Sequence, residues 1–207
     1  GRKVVLQVRN SSGTRDVAIK PVPLSAFADL QYENFVLEMR ELTDRYSNGK
    51  LAYVHIRGMS MPFHEQFMRE IRTLTQNKEG LIIDVRYNGG GNTAHLALSL
   101  LIKQPWLIRT VRGWEGVAMS ENIFRGDTVE LPSALMINAS SASNAEIMAE
   151  GFRQLNIGPV VGVATPGAVI GTGGWTLFDG GSLRIPFAGA YTVGGENLEG
   201  NGRQPSI

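Results

Sequence analysis

Hydrophobic positions along the chain predict strands that alternate with helices. Apolar residues fall three or four apart between residues 32 and 46, which predicts an amphipathic helix that ends at the turn residues 47–49. Residues 51–56 predict a strand, and residues 63–74 predict a second helix. The nearly continuous apolar run 81–85 (LIIDV) is typical of a buried parallel strand. This order predicts a β-α-β unit and therefore a parallel sheet.

The second half of the chain repeats this order and then changes character. A glycine turn at 86–91 precedes a helix at 96–101, and residues 104–132 have weak periodicity that indicates a long connection. The next predicted elements are a strand at 134–138, a helix at 144–155, a strand at 159–163 and a hairpin with strands at 176–178 and 183–187 around Asp179-Gly180-Gly181. The predicted class is α/β with a glycine-rich β appendage.

Composition narrows the kinds of partner and chemistry. Twenty Lys and Arg against nineteen Asp and Glu leave a formal charge of +1 without a basic block, so we expect no nucleic-acid partner. No apolar run reaches the roughly 20 residues of a membrane span. The absence of cysteine excludes disulfides, thiolate nucleophiles and cysteine-based metal sites. Any nucleophile must therefore be an oxygen or an amine.

A run of small residues between a predicted strand and helix, 138–146 (NASSASNAE), is the first candidate for chemistry. Ser140, Ser141 and Ser143 would lie at the carboxyl end of a strand, where ligands of open sheets bind. One interpretation is a helix N-cap followed by packing residues. The other makes one serine a nucleophile, because free amides and the positive end of the helix dipole would stabilise an oxyanion there.

The glycine turn 86–92 (RYNGGGN) after the predicted strand is the second candidate. It could be only a tight strand-to-helix connection. Glycine also lets backbone amides approach a ligand, so Gly90 or Gly91 could supply an oxyanion donor. The turn matches neither the P-loop nor the dinucleotide-binding pattern.

A nucleophilic serine needs a base, and the chain offers three histidines and five lysines. No lysine follows Lys103, which excludes a lysine base from the segment after the serines. His55 lies in an apolar strand and is expected in the core or at the sheet edge, whereas His64 is expected near solvent at a helix start. His95, one turn into the helix after the glycine turn, is the best local candidate.

Three motifs together resemble a known family. The segments LIIDVRYNGGG, NASSASNAEIMAEGF and ENLEGNGRQP are similar, in order and spacing, to the S41 serine peptidases of the C-terminal processing and tricorn types. The earlier segment RYSNGKLAYVHIRGMSM looks like the opening of the second catalytic subdomain of tricorn-type members. The resemblance covers most of the chain, and it is closer to the tricorn type.

The resemblance implies a fold and a domain organisation. Residues 24–207 would form a catalytic core subdomain of the ClpP/crotonase-like α/β fold, truncated at both ends. Residues 1–23 would be the remnant of a preceding PDZ-like domain and its linker.

The resemblance also implies roles for single residues. The nucleophile of the family stands three residues before an acidic helix residue, which corresponds to Ser143 before Glu146. The oxyanion donors correspond to the amides of Gly91 and Asn144. A glutamate that supports catalysis corresponds to Glu199, with Glu196 as the alternative.

Other positions depart from the family pattern. The tricorn base is a histidine before the PDZ domain, and these 207 residues contain no counterpart of that region. We therefore expect this chain to be weakly active or inactive. His95 would be the base only if the chain is catalytically self-contained. Ala168 stands where Ser-Lys members have their lysine. Arg109 is a possible residue of the P1 pocket and would favour acidic groups.

The implied partners are a peptide or unfolded polypeptide substrate and further copies of the chain in a homo-oligomer. The resemblance favours the cytoplasm over the periplasm. No H-E-x-x-H pattern occurs, so no metal and no cofactor is expected. The alternative functions are a non-catalytic peptide-binding module on the same fold and, third, a crotonase-like acyl-CoA enzyme.

Overall fold

A four-stranded parallel sheet carries the residues of the predicted site. The computed structural model describes residues 2–102, 107–109, 117–119, 129 and 131–207, with the backbone alone for 107–109 and 117–119. The chain divides into two compact units, residues 1–41 and 42–207.

Strands and helices alternate between residues 51 and 99 and again between residues 133 and 162, as the sequence pattern indicates. In chain order they are β1 (Val4–Asn10), β2 (Gly13–Ile19), α1 (Leu24–Ser47), β3 (Leu51–His55), α2 (Met61–Leu74), β4 (Gly80–Asp84), α3 (Ala94–Ser99), β5 (Leu107–Arg109), β6 (Val117–Met119), β7 (Ser133–Ile137), α4 (Asn144–Gln154), β8 (Val160–Gly162), β9 (Gly171–Thr176) and β10 (Ser182–Ala188).

The smaller unit contains an antiparallel hairpin of β1 and β2 and the larger part of α1. The hairpin register runs from Val4 opposite Ile19 to Asn10 opposite Gly13. The boundary between the two units, after Glu41, lies inside α1.

The larger unit is built on the parallel sheet, whose strand order is β3-β4-β7-β8. Helix α2 packs on β3, and α4 packs on β7 and β8. The side chains of Ile83 in β4 and Leu135 in β7 are fully buried, as are Phe67 of α2 and Phe152 of α4. The apolar run of β4 is continuous because both faces of a central parallel strand are covered.

The sheet strands and helices lie where the sequence pattern predicts them, with most ends displaced by one or two residues. Helix α1 begins at Leu24, earlier than predicted. The predicted strand 176–178 is largely wrong: β9 ends at Thr176, which pairs with Ser182, and the turn follows. The first part of β9 is GTGG, which has no alternation of apolar and polar residues for a pattern to detect.

In the part of the chain that the structure describes, no helix combines the length and the apolar content needed to cross a bilayer.

Replacement of Phe152 by alanine should strongly destabilise the chain. The fully buried ring fills the space between α4 and the sheet, so its loss should lower the free energy of unfolding by about 3 to 5 kcal/mol. The same substitution at Phe178, which is fully exposed, should change it by less than about 0.5 kcal/mol. Urea denaturation followed by circular dichroism measures both, and equal effects would contradict the assigned core. Phe152→Leu provides a milder variant if Phe152→Ala does not fold.

Candidate active site

The carboxyl ends of β4 and β7 bring the two predicted loops into contact. The glycine turn, residues 86–92, follows β4, and the serine loop, residues 138–143, follows its neighbour β7. The Ala142 amide donates to the Asn88 carbonyl at 2.9 Å. The Ser141 hydroxyl donates to the Val85 carbonyl at 2.8 Å. The two loops therefore lie side by side at one edge of the sheet, as expected for parallel strands.

The three serines of the loop have different environments. Ser141 is fully buried, and its Oγ accepts the Asn138 amide at 3.0 Å in addition to its bond to the β4 end. Ser140 is exposed. Ser143 is half-buried and is the N-cap residue of α4, with φ 55° and ψ −118°, a conformation that costs a non-glycine residue free energy. Strained residues of this kind are concentrated at functional sites.

The glycine turn approaches Ser143 so closely that only glycine fits. A Cβ atom at Gly90 would lie 2.6 Å from the Ser143 Cβ and 2.9 Å from the Asn144 amide nitrogen. Gly90 also has φ 97°, which L side chains rarely adopt. The turn and the serine loop are therefore in direct van der Waals contact at Ser143.

Two backbone amides beside this contact are available to a ligand. Within the described residues, neither the Gly91 amide nor the Asn144 amide donates a hydrogen bond. Asn144 is the first residue of α4, so its amide lies at the positive end of the helix dipole. Gly91 follows Gly90 directly, with φ 142°. These are the two amides that the resemblance implies as oxyanion donors.

Glu146 is a fully buried carboxylate that holds the serine loop. Its Oε2 accepts the Ser143 amide at 2.9 Å and the Ala168 amide at 2.8 Å. Its Oε1 accepts the Thr165 hydroxyl and the Gly167 amide, both at 2.6 Å. The segment 165–168, which follows β8, is therefore attached to the start of α4 beside Ser143.

A second buried carboxylate, Asp84, holds the glycine turn at its beginning. Asp84 accepts hydrogen bonds from the Tyr53 hydroxyl at 2.6 Å, from the Arg86 guanidinium at 2.6 Å and from the Arg86 amide at 2.8 Å. Burial, and then the charge of Asp84, raise the pKa of Tyr53. The hydrogen bond to Asp84 is the main cause that raises the pKa of Arg86.

None of the three histidines is hydrogen-bonded to Ser143 in the described part of the chain. The His55 ring Nε2 lies 2.9 Å from the Arg86 carbonyl, and burial lowers the pKa of His55. The expectation that His64 lies near solvent is wrong: the residue is 7% exposed, its Nδ1 has no partner among the described residues, and burial lowers its pKa. His95 is exposed on α3.

The two candidate glutamates of the closing motif have different partners. Glu199 Oε2 accepts the amides of Val169 and Ile170 at 2.6 and 2.7 Å, so it binds the backbone that continues from the segment held by Glu146. Glu196 is half-exposed and forms an ion pair with Arg203 at 3.0 Å. Glu199 therefore binds backbone directly after residues 165–168, whereas Glu196 reaches Thr165 only through Arg203.

Arg109 ends the short strand β5, where it pairs with Val117 of β6. Its side chain lies outside the described residues. The assignment of Arg109 to a P1 pocket therefore stays a prediction.

Sequence reasoning missed three polar residues that hold the two loops. The Asn138 side chain accepts backbone amides of both loops. The Asn88 side chain accepts the Gly90 amide, and its backbone carbonyl accepts the Ala142 amide of the serine loop. The Thr165 hydroxyl donates to Glu146, which holds the Ser143 amide. An asparagine directly before a glycine run was the available signal for Asn88.

Among the described residues, no cluster of three or more His, Asp or Glu side chains could hold a metal ion.

Comparison with known proteins identifies a family model and several relatives. Residues 50–207 match the model of peptidase family S41. The chain is 32% identical over its whole length to tricorn protease homolog 1 of Streptomyces coelicolor, of which it covers 19%. It is 28% identical over 86% of its length to the tricorn protease of Thermoplasma volcanium, of which it covers 17%. The chain thus spans about a fifth of the length of the curated relatives it matches.

Solved structures share the fold. The crystal structure of the tricorn protease superposes with a TM-score of 0.77 at 24% identity, covering 99% of this chain and 20% of that one. A photosystem II D1 C-terminal processing protease superposes with a TM-score of 0.59 at 19% identity, covering the whole of this chain and 55% of that one. Both likenesses support the mixed α/β fold with a parallel sheet.

Gly90→Ala should disrupt the contact between the loops, whereas Gly89→Ala should not. A Cβ atom at Gly90 would collide with Ser143 and would require an unfavourable positive φ, but a Cβ atom at Gly89 meets open space. We expect the first change to cost at least about 2 kcal/mol of unfolding free energy and the second less than about 1 kcal/mol. Urea denaturation and the amide NMR shifts of the serine loop measure the difference. Unchanged shifts in Gly90→Ala would contradict the contact.

Acidification should lower the stability of the chain because burial lowers the pKa of both His55 and His64 in the folded state. The unfolded chain binds these protons at about pH 6.5, and the folded chain binds them only at lower pH, so proton uptake favours unfolding below about pH 6.5. Urea denaturation between about pH 7.5 and 5.5 should show this fall. His55→Gln, which retains a donor for Arg86, should reduce the slope, and a flat wild-type profile would contradict the assignment.

Proposed function

Because the chain belongs to peptidase family S41, we propose that it is the nucleophile-bearing part of a tricorn-like serine peptidase that trims peptides through an acyl-enzyme. The observation that carries this proposal is the strained Ser143 at the start of α4, in contact with Gly90 and flanked by the amides of Gly91 and Asn144. As part of the proposal, residues 24–207 form a core of the ClpP/crotonase-like type, residues 1–23 are PDZ-like, and the protein is a homo-oligomer.

The proposed reaction is acyl transfer in two steps. The Ser143 oxygen forms a bond to the peptide carbonyl carbon while its proton passes to a general base, and the carbonyl oxygen becomes an oxyanion that accepts hydrogen bonds from Gly91 and Asn144. The carbon–nitrogen bond then breaks, and the amine leaves with the proton from the base. Water attacks the resulting ester with help from the same base, which releases a carboxylic acid and restores the serine.

We propose that the general base comes from outside these 207 residues. His55 is engaged with the Arg86 carbonyl, and His64 is buried in α2. His95 is exposed on α3 and is the base if the chain is self-contained. The proposal fits a chain that spans about a fifth of its curated relatives, and it implies weak activity, since a positioned base supplies about 10² to 10⁴ in rate.

Glu199 and Glu146 have supporting roles in this proposal. Glu146 fixes the Ser143 amide, and Glu199 fixes the amides of Val169 and Ile170. Neither needs to exchange a proton with the substrate, because each acts by holding backbone. Arg109 as a P1 determinant with a preference for acidic groups stays part of the hypothesis, and equal cleavage after Lys, Leu and Asp would remove it.

A peptide-binding module without catalysis is the second candidate. It is favoured by one contact, the Glu146 carboxylate that accepts the Ser143 amide, which is one half of a helix capping box. In that case Ser143 serves only to begin α4. The two functions differ in whether the Ser143 hydroxyl reacts.

A fluorophosphonate should label Ser143 of the chain slowly, and added imidazole should accelerate labelling about tenfold by replacing part of a missing base. Ser143→Ala should abolish the label. Ser140→Ala, the same change at an exposed serine of the same loop, should leave it intact. Mass spectrometry of tryptic peptides locates the label.

The outcomes separate the candidates. Absence of label with and without imidazole supports the binding module. Rapid labelling without imidazole that His95→Ala abolishes would make His95 the base.

A further inference from the structure

Asn88 lies fully buried in the glycine turn and joins three segments of the proposed site. Its side-chain Nδ2 donates to the carbonyl of Ile56, the residue after β3, at 2.8 Å. Its Oδ1 accepts the Gly90 amide at 2.8 Å. Its backbone carbonyl accepts the Ala142 amide of the serine loop at 2.9 Å. One residue therefore connects the end of β3, the glycine turn and the serine loop.

The direction of the Gly91 amide depends on such connections. Gly90 and Gly91 both have positive φ values, 97° and 142°, and glycine by itself has the widest choice of conformations. Met59 holds one side of the turn, because its amide donates to the Gly90 carbonyl at 2.9 Å and its carbonyl accepts the Asn92 amide at 2.7 Å. Asn88 holds the other side through the Gly90 amide.

We propose that Asn88 is a positioning residue that aims the Gly91 amide at the oxyanion formed on Ser143, an inference that rests on the proposed function. Asn88 acts through Gly90 and Ala142. Oxyanion donors must lie about 2.7 to 3.1 Å from the charge that develops, and a displacement of about 1 Å costs up to about 10²-fold. Loss of Asn88 therefore weakens a tetrahedral adduct far more than it weakens binding of an intact peptide.

Asn88→Asp gives the sharpest test because its effect reverses with pH. A neutral aspartic acid has the shape of asparagine, so its hydroxyl can donate to the Ile56 carbonyl while its other oxygen accepts the Gly90 amide. The ionised form places a carboxylate oxygen, which can only accept, against the Ile56 carbonyl, which is also an acceptor. Burial and this carbonyl raise the pKa of the introduced carboxyl above its usual ~3.9. Positioning therefore returns as the pH falls.

Asn92→Asp is the matched control. It adds the same charge to the same turn, but the Asn92 side chain is exposed and makes no hydrogen bond to the described residues. The titratable and charged groups on or beside the segments that Asn88 joins are Tyr53, His55, Arg57, Asp84, Arg86, Tyr87 and Glu146. Both variants retain all of these groups, so their titration cancels when the two variants are compared at one pH.

The quantity measured is the dissociation constant of phenylboronic acid, which is obtained by titration with detection by amide NMR. Boron forms a bond to the Ser143 oxygen, the serine proton is released to solvent, and the tetrahedral boronate anion mimics the oxyanion. At about pH 8, Asn88→Asp should bind phenylboronic acid about 30-fold more weakly than Asn92→Asp does. At about pH 5.5, the dissociation constants of the two variants should agree within about threefold. Asn88→Ala should bind weakly at both pH values. The affinity for acetyl-tetra-alanine amide, a ground-state probe, should stay the same in every variant.

Two results overturn the positioning role. The first is that Asn88→Asp and Asn92→Asp have the same dissociation constant for phenylboronic acid at both pH values. The other is a parallel loss of boronate and peptide binding that acid does not restore. Failure of the proposed function itself has a different signature, since wild type would then bind the boronate no better than Ser143→Ala.

Discussion

The buried carboxylate of Glu146 is the contact on which the candidate site depends. A charge with no exposed surface is tolerated only when donors surround it, and here a hydroxyl and three backbone amides do so. Two of these partners, Ser143 and Ala168, share one carboxylate oxygen. Thr165 also accepts the amide of Arg203 through its hydroxyl oxygen. Glu146 thus ties the strained serine to residues 165–168, and Thr165 extends this connection to Arg203.

Asp84 binds the backbone of the glycine turn, as Glu146 binds the backbone of the serine loop. Each carboxylate lies beside its loop and binds that loop's backbone, so the free energy of the buried hydrogen bonds offsets the strain. In these two loops the non-glycine residues with positive φ are Tyr87 and Ser143. Two unbonded amides that are fixed before any substrate arrives are what stabilisation of a developing charge requires.

Sequence patterns predicted the sheet and its helices because a helix buries one repeating stripe of side chains and a central strand buries both of its faces. The run LIIDV and the spacing of apolar residues in α2 are local signals that the core then satisfies. The pattern was wrong for β9, where glycines carry no apolar signal and pairing with β10 decides the conformation. It was also wrong for His64, whose burial depends on what packs over the start of α2.

The amino-acid sequence alone determined the α/β class, the glycine turn and serine loop that each follow a strand, and the family resemblance, since each depends on residue types at short spacings. Tertiary structure decided which of three neighbouring serines is buried, which is exposed and which is strained. It also decided that Asn88 joins the glycine turn to the serine loop and that Glu146 joins the serine loop to residues 165–168. The physical reason is distance along the chain: Ser141 binds a carbonyl 56 residues away, and no local pattern records a bond that only the packed sheet creates.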